Sequence, residues 1–145
     1  MTNAELAHKL RDLRDFLIIA GYEESHATRY THIARTIEKM PESAEQMRRE
    51  GRLTEIPQVG KLIAMYIREL IDTGTCSKIR DWESEAPYTV VEMCRVPGLG
   101  PRTARILFAG YGVKSLVELQ QAVRERKLDD VISEKLRSAA LNTKL

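Results

Sequence analysis

Ile56-Pro57-Gln58-Val59-Gly60-Lys61-Leu62-Ile63-Ala64 and, forty positions later, Val96-Pro97-Gly98-Leu99-Gly100-Pro101-Arg102-Thr103-Ala104 are one phrase written twice. Each reads as a small turn opening a helix, with a cation just past its last glycine. Such a turn aims unpaired backbone N–H groups outward at a helix start, where the macrodipole is also positive, and the combination suits a phosphate. The branched or bulky residues at the first and fourth positions, Ile56 with Val59 and Val96 with Leu99, anchor each turn in a core. Gly60 and Gly100 are expected where the chain tightens and where a side chain would hold a phosphate away from the main chain.

The residues beyond the turns extend the same argument. Pro101 suits a first helical position, and Lys61 takes the equivalent place in the first copy. A cation there opposes the helix dipole by about 0.3–1 kcal/mol unless an anion lies between them. Arg105 follows Arg102 on the same face and continues a contact along a backbone. Ala64 and Ala104 are small enough to let two helices approach closely. The candidate DNA contacts are therefore Gln58, Val59, Gly60, Lys61, Gly98, Leu99, Gly100, Arg102, Thr103 and Arg105. Because Gln58 stands where a first glycine is expected, the second copy is expected to bind more strongly. A lone copy reads equally well as a junction between two helix caps; two aligned copies, each with its cation, favour the phosphate.

With 43% hydrophobic and 30% charged residues in 145, the chain can bury a real core, as one domain or two small ones. No apolar run approaches the roughly 18–20 residues of a membrane span. Met1-Thr2-Asn3-Ala4-Glu5 lacks the plan of a secretion signal, so a cytoplasmic protein, nucleoid-associated in a prokaryote, is expected. Cys76, Cys94, His8, His26 and His32 form no metal-ligand spacing, and free thiols are expected. The net charge of +2 is unevenly spread: residues 101–145 hold nine Lys/Arg against five Asp/Glu, while the stretches before are slightly acidic.

The periodicity is helical almost throughout, beginning with Leu6, Leu10, Leu13 and Leu17, and it predicts an all-α chain, a compact array of short helices. Hydroxyls placed three residues before Glu or Gln mark helix starts at Thr2/Glu5, Ser43/Gln46, Thr89/Glu92 and Ser115/Glu118. Gly21, Pro41, Gly51 and Gly74 mark stops. The predicted helices are 3–20, 26–40, 43–50, 61–73, 76–85, 89–95, 101–110, 115–125 and 130–141. Ala86-Pro87-Tyr88 is the expected seam between a unit at 1–86 holding the first turn and one at 87–145 holding the second, with the two in contact. Residues 126–136 echo the repeat without its glycines, a degenerate hairpin assigned to packing.

These phrases resemble the helix-hairpin-helix motif, and the run from Asn3 through Gly74 is similar to the N-terminal domain of family X DNA polymerases, the polymerase beta-like group. The likeness covers an amphipathic first helix, a Tyr-containing second ending in Glu38-Lys39-Met40-Pro41, then Arg49-Glu50-Gly51-Arg52-Leu53, the first turn, and Glu69-Leu70-Ile71-Asp72-Thr73-Gly74. The second phrase resembles the hairpin of that family's fingers region. The resemblance implies two helix-hairpin-helix motifs, a preference for gapped or damaged DNA in repair, no cofactor beyond room for a monovalent cation at a hairpin, and a phosphate pocket at His26, Tyr30 and Lys78.

The family's polymerase site needs a palm domain with three metal-binding aspartates, which these residues do not supply, so polymerase activity is not expected of them. The family's first domain can also be a 5′-deoxyribose phosphate lyase working through a lysine imine; here that position is Tyr66, and another basic position is Leu62. A phenol cannot form the imine, and a non-catalytic module is expected. Trp82 reads as a core or seam residue, and Arg48, Arg49 and Arg52 as a solvated face diluted by Glu45 and Glu50. The leading expectation is sequence-independent binding of the DNA backbone at both turns. A lyase-type repair enzyme and a protein-interaction scaffold are the alternatives.

Overall fold

Leu6, Leu10, Leu13, Phe16, Leu17 and Ile19 recur at helical spacing along α1 (Asn3–Ala20), and every one of these side chains is buried. Leucines recurring every three or four residues face one way on a helix, whereas burying Ile19 and Ala20 as well requires neighbours on more than one side. The computed structural model, which describes residues 1–145, supplies them: the helix Arg29–Lys39 packs against α1, and so do the helix Pro101–Tyr111 and the 3-10 segment Tyr88–Arg95.

The chain is all-helical, with no strand. After α1 come α2 (Glu24–Ala27), α3 (Arg29–Lys39), α4 (Ala44–Arg49), a short 3-10 turn at Leu53–Glu55, α5 (Lys61–Thr73) and α6 (Ser77–Trp82). The 3-10 segment Tyr88–Arg95 then leads to α7 (Pro101–Tyr111), α8 (Leu116–Arg124) and α9 (Glu134–Asn142). The buried apolar side chains form one continuous cluster running from Leu6 to Ala140. It crosses the expected seam at residues 86 and 87, where the Phe16 ring meets Tyr88 edge-on at 5.2 Å. Both cysteines are free thiols. Burial pushes the Cys94 thiol up to about 12, and the neighbouring Asp15 carboxylate adds to the effect.

Local signals set most helix ends. Thr2, Ser43 and Ser115 accept from the amides of Glu5, Gln46 and Glu118, each satisfying an orphan donor of the first turn. Gly21 and Gly74 take left-handed backbone and close α1 and α5. The Thr89/Glu92 box does not form. Thr89 instead donates to the Lys114 carbonyl at 2.7 Å, while the Glu92 carboxylate accepts from the Leu116 amide at 3.2 Å. Both partners are drawn across to the start of α8, and residues 88–95 stay in the tighter 3-10 form.

Other boundaries also differ from the periodic pattern. The helix expected over 26–40 is two helices, broken at Thr28, whose hydroxyl bonds back to the Glu24 carbonyl at 2.9 Å and competes with a straight helical path. The helix expected over 76–85 stops at Trp82, and the one expected to begin at 130 begins at Glu134, capped by Ser133. Ala104 is buried as a helix contact should be, but Ala64 is only half-buried and faces a groove rather than another helix.

The two repeated phrases adopt the same backbone. Ile56 and Val96 accept from the amides of Val59 and Leu99, each at 3.0 Å, closing matching β-turns with proline second. Gln58 and Gly98 occupy the third position at φ 69° and 84°, the left-handed region that a type II turn demands there. Gly60 and Gly100 follow with extended backbone, φ −88° and −95°, and accept from Ala64 and Ala104. The tightening thus falls on Gln58 and Gly98, not on Gly60 and Gly100. A Cβ at Gly98 would stand 3.3 Å from Leu136 Cδ2 of α9, whereas one at Gly60 or Gly100 would meet nothing within 4 Å.

Two stability outcomes follow. Phe16→Ala should cost about 3–5 kcal/mol in urea-induced unfolding, because a fully buried ring is removed from the face where both flanks meet. Gln58→Gly should raise stability by up to about 1 kcal/mol, since it relieves an L-residue held at positive φ; thermal melts of the two proteins provide the check.

Candidate nucleic-acid interface

Helices α1, α8 and α9 begin with a side-chain cap, whereas α5 and α7 begin without one. Glycine at the cap position has no oxygen to offer, so the amides of Gly60, Lys61, Leu62 and Ile63 have no acceptor in the protein, nor does that of Gln58. At the second turn the free amides are those of Gly98, Gly100, Arg102 and Thr103, Pro101 having no N–H to give. Val59 and Leu99 are buried anchors whose amides close the turns, so these two expected contacts offer an anion no free donor. Both glycine turns are solvent-exposed at Gly60 and Gly100. Their amides can bind an anion at a positive helix end, and the absence of a Cβ lets it approach.

The cations beside the turns differ in their engagement. Lys61 is exposed and makes no ion pair. Arg102 is 79% exposed in its side chain and pairs with Glu24 of α2 at 2.7 Å, which already places a carboxylate beside the second turn. Arg105 donates through Nη1 to the Ile19 carbonyl at 2.6 Å, capping the C-terminus of α1, and its guanidinium lies against Gly21. That bond gives Arg105 a structural task instead of a free outward charge. Thr103 is half-buried, with its amide open. Donor supply therefore runs against the expected ranking: the first turn has more open amides and an unpaired cation, while the second lacks one amide and shares its arginine with Glu24.

The residues expected to line a second phosphate pocket gather around Tyr22, which sequence reasoning had not singled out. Lys78 Nζ sits 4.4 Å from the Tyr22 ring centre, and the rings of His26 and Trp82 lie 6.2 and 5.1 Å from it. Trp82 is half-buried, in keeping with a seam residue. Tyr30 is 3% exposed, and burial, with Tyr66 nearby, raises its phenol well above the ordinary range. Tyr66 is also buried, and its pKa is raised chiefly by desolvation. The site thus offers one ammonium engaged with an aromatic face and one exposed imidazole.

No group of three or more His, Cys, Asp or Glu is placed to hold a metal, and Asp129 is taken up by Arg126 and Arg137. At the first hairpin the candidate donors for a hard cation are main-chain oxygens. The carbonyls of Pro57, Gln58 and Val59 accept no hydrogen bond, and the type of donor fits, though no carboxylate accompanies them. Glu24 was missed at the second turn because it lies 78 positions from Arg102, and no local pattern joins them. No helix is long and apolar enough to cross a membrane.

The chain is 22% identical over 128 residues to the DNA polymerase/3′-5′ exonuclease PolX of Bacillus subtilis (strain 168), a match covering 88% of this chain. It spans only 22% of that relative's length. A model of the helix-hairpin-helix domain matches residues 1–76, the stretch from α1 through the first turn to the end of α5, and the chain belongs to the helix-hairpin-helix domain family.

Proposed function

We propose that this chain is a DNA-binding module that grips the sugar–phosphate backbone at both glycine turns, without reading base sequence and without chemistry of its own. Membership of the helix-hairpin-helix family implies binding to DNA. The observation that carries the finer reading is the pair of backbone-matched turns, each leading into a helix whose first amides are open. Nothing inside the protein needs glycine at Gly60 or Gly100, since both have ordinary φ and room for a Cβ. An external group approaching the main chain does need it.

Contacts of this kind position a duplex and carry no base information. The second turn is on this reading a helix-hairpin-helix motif in its own right, attached to the family domain through α1. The likeness to a polymerase/exonuclease supports gapped or damaged DNA in repair as the substrate class. The lyase alternative has less support: Tyr66 has no amine, Lys78 rests on an aromatic ring, and Lys61 is an exposed side chain at a helix start.

Fluorescence anisotropy with single-stranded, duplex and gapped DNA at two salt concentrations tests the reading. Gly60→Ala with Gly100→Ala should change stability by no more than about 1 kcal/mol, yet weaken DNA binding about tenfold, equivalent to about 1.4 kcal/mol. Undiminished affinity in that variant would remove the proposal. Lys61→Ala should flatten the plot of log K against log salt on duplex by about 0.9, the loss of one phosphate contact. Removing the carboxylate that competes at the second turn, Glu24→Gln, should tighten binding about two- to fivefold, most visibly at low salt.

A further inference from the structure

The half-buried Ala64 lies in a groove of about 250 Å³ that shares only Lys61 with the expected contacts. One wall is a stripe of α5, Lys61, Ala64, Met65 and Arg68, whose spacing of three, four and seven residues puts them on one face. The other is formed by Arg48, Gly51, Leu53 and Thr54. The helical turn angle places this face nearly opposite Tyr66, so the groove is separate from the Tyr22–Lys78 cluster.

Its chemistry is two-part. The floor is apolar, from Leu53, Ala64 and the Met65 thioether. The rim is cationic, and its charges differ in availability. Arg48 is held by Asp72 through paired bonds of 2.8 and 3.3 Å, and Arg52 nearby is consumed by Glu42, Glu50 and Glu55. Lys61 and Arg68 are exposed and make no ion pair, and they stand about 10 Å apart along the helix. Lys61 also borders the first turn, so the groove leads directly away from the open amides. An apolar floor flanked by cations that make no ion pair complements a base carried on a phosphate: thioethers pack favourably against aromatic rings, and apolar contact of that kind tolerates every base. A fully paired duplex keeps its bases inside and has nothing to offer the floor.

We propose that this groove receives an unstacked nucleotide of a single-stranded segment continuing from the phosphate held at the first turn, with its base on Met65 and Ala64 and its phosphate between Lys61 and Arg68. The inference rests on the backbone-binding reading above and adds a strand preference to it. The test is NMR of the full chain labelled at its methionine methyls and backbone amides, with the Met65 methyl assigned through M65L. It is titrated with a blunt duplex and with the same duplex bearing a short single-stranded extension. The Met65 methyl should shift with the extended DNA and stay still with the blunt one. Arg68→Ala should weaken the extended DNA about fivefold, flatten its salt dependence by about 0.7, and leave the blunt duplex unaffected. A Met65 methyl unmoved by the extended DNA while the Gly60 and Lys61 amides respond would overturn the groove and spare the backbone reading. Equal methyl shifts with both DNAs would overturn the strand preference, and no response anywhere would remove both inferences.

Discussion

The burial of α1 on several sides at once is the constraint on which the rest depends. Its leucines alone would need only one partner helix. With Phe16, Ile19 and Ala20 also removed from water, the helix must be enclosed by α3 from the family domain and by α7 and residues 88–95 from beyond it. Both glycine turns are secured to structures that contact this helix: α5 packs against α1 near its first-domain neighbours, and α7 lies along it. The open amides can stay rigidly outward because the anchors behind them, Ile56, Val59, Val96 and Leu99, are locked into the same apolar cluster.

Charge is distributed in keeping with that division of labour. Most arginines of the first half are internally matched, Arg11 with Glu38, Arg14 with Asp15, Arg48 with Asp72 and Arg52 with three glutamates. Apart from Arg14–Asp15, whose carboxylate is buried, these are largely exposed pairs that contribute little stability but neutralise the surface on which they lie. Among the cations without an ion pair, Lys61 and Arg68 are on α5 next to the first turn, while Lys9, Arg29, Arg35 and Lys39 lie on α1 and α3. A modest net charge can therefore coexist with local positive surface, because what an anion meets is the unpaired remainder and not the total.

Much of the fold was legible because its signals are local. Gly21 and Gly74 ended helices where expected, three of four hydroxyl caps formed, and the turn that organises α5 could be read from a nine-residue phrase. What escaped is what depends on distant residues. Thr89 and Glu92 carry the local signature of a cap, but the start of α8 competes for both and wins. Periodicity gave no hint of the break at Thr28, since the apolar face continues through it. At the candidate site the open amides followed from the phrases themselves. The Glu24–Arg102 pair and the Arg105 cap on Ile19 join residues far apart in sequence, and only the folded chain brings them together.

That last bond, short and running from α7 to the end of α1, makes the molecule a caliper. A guanidinium lodged on a main-chain carbonyl, beside a continuous apolar core, ties α7 to α1, so the spacing of the two turns is set by internal packing. On the proposed reading, bringing two phosphates to a fixed gauge is work done on the nucleic acid, and a continuous double helix is a stiff rod to bend. A strand interruption would remove much of that stiffness, so a protein that held both phosphates would favour broken over intact duplex by mechanics alone.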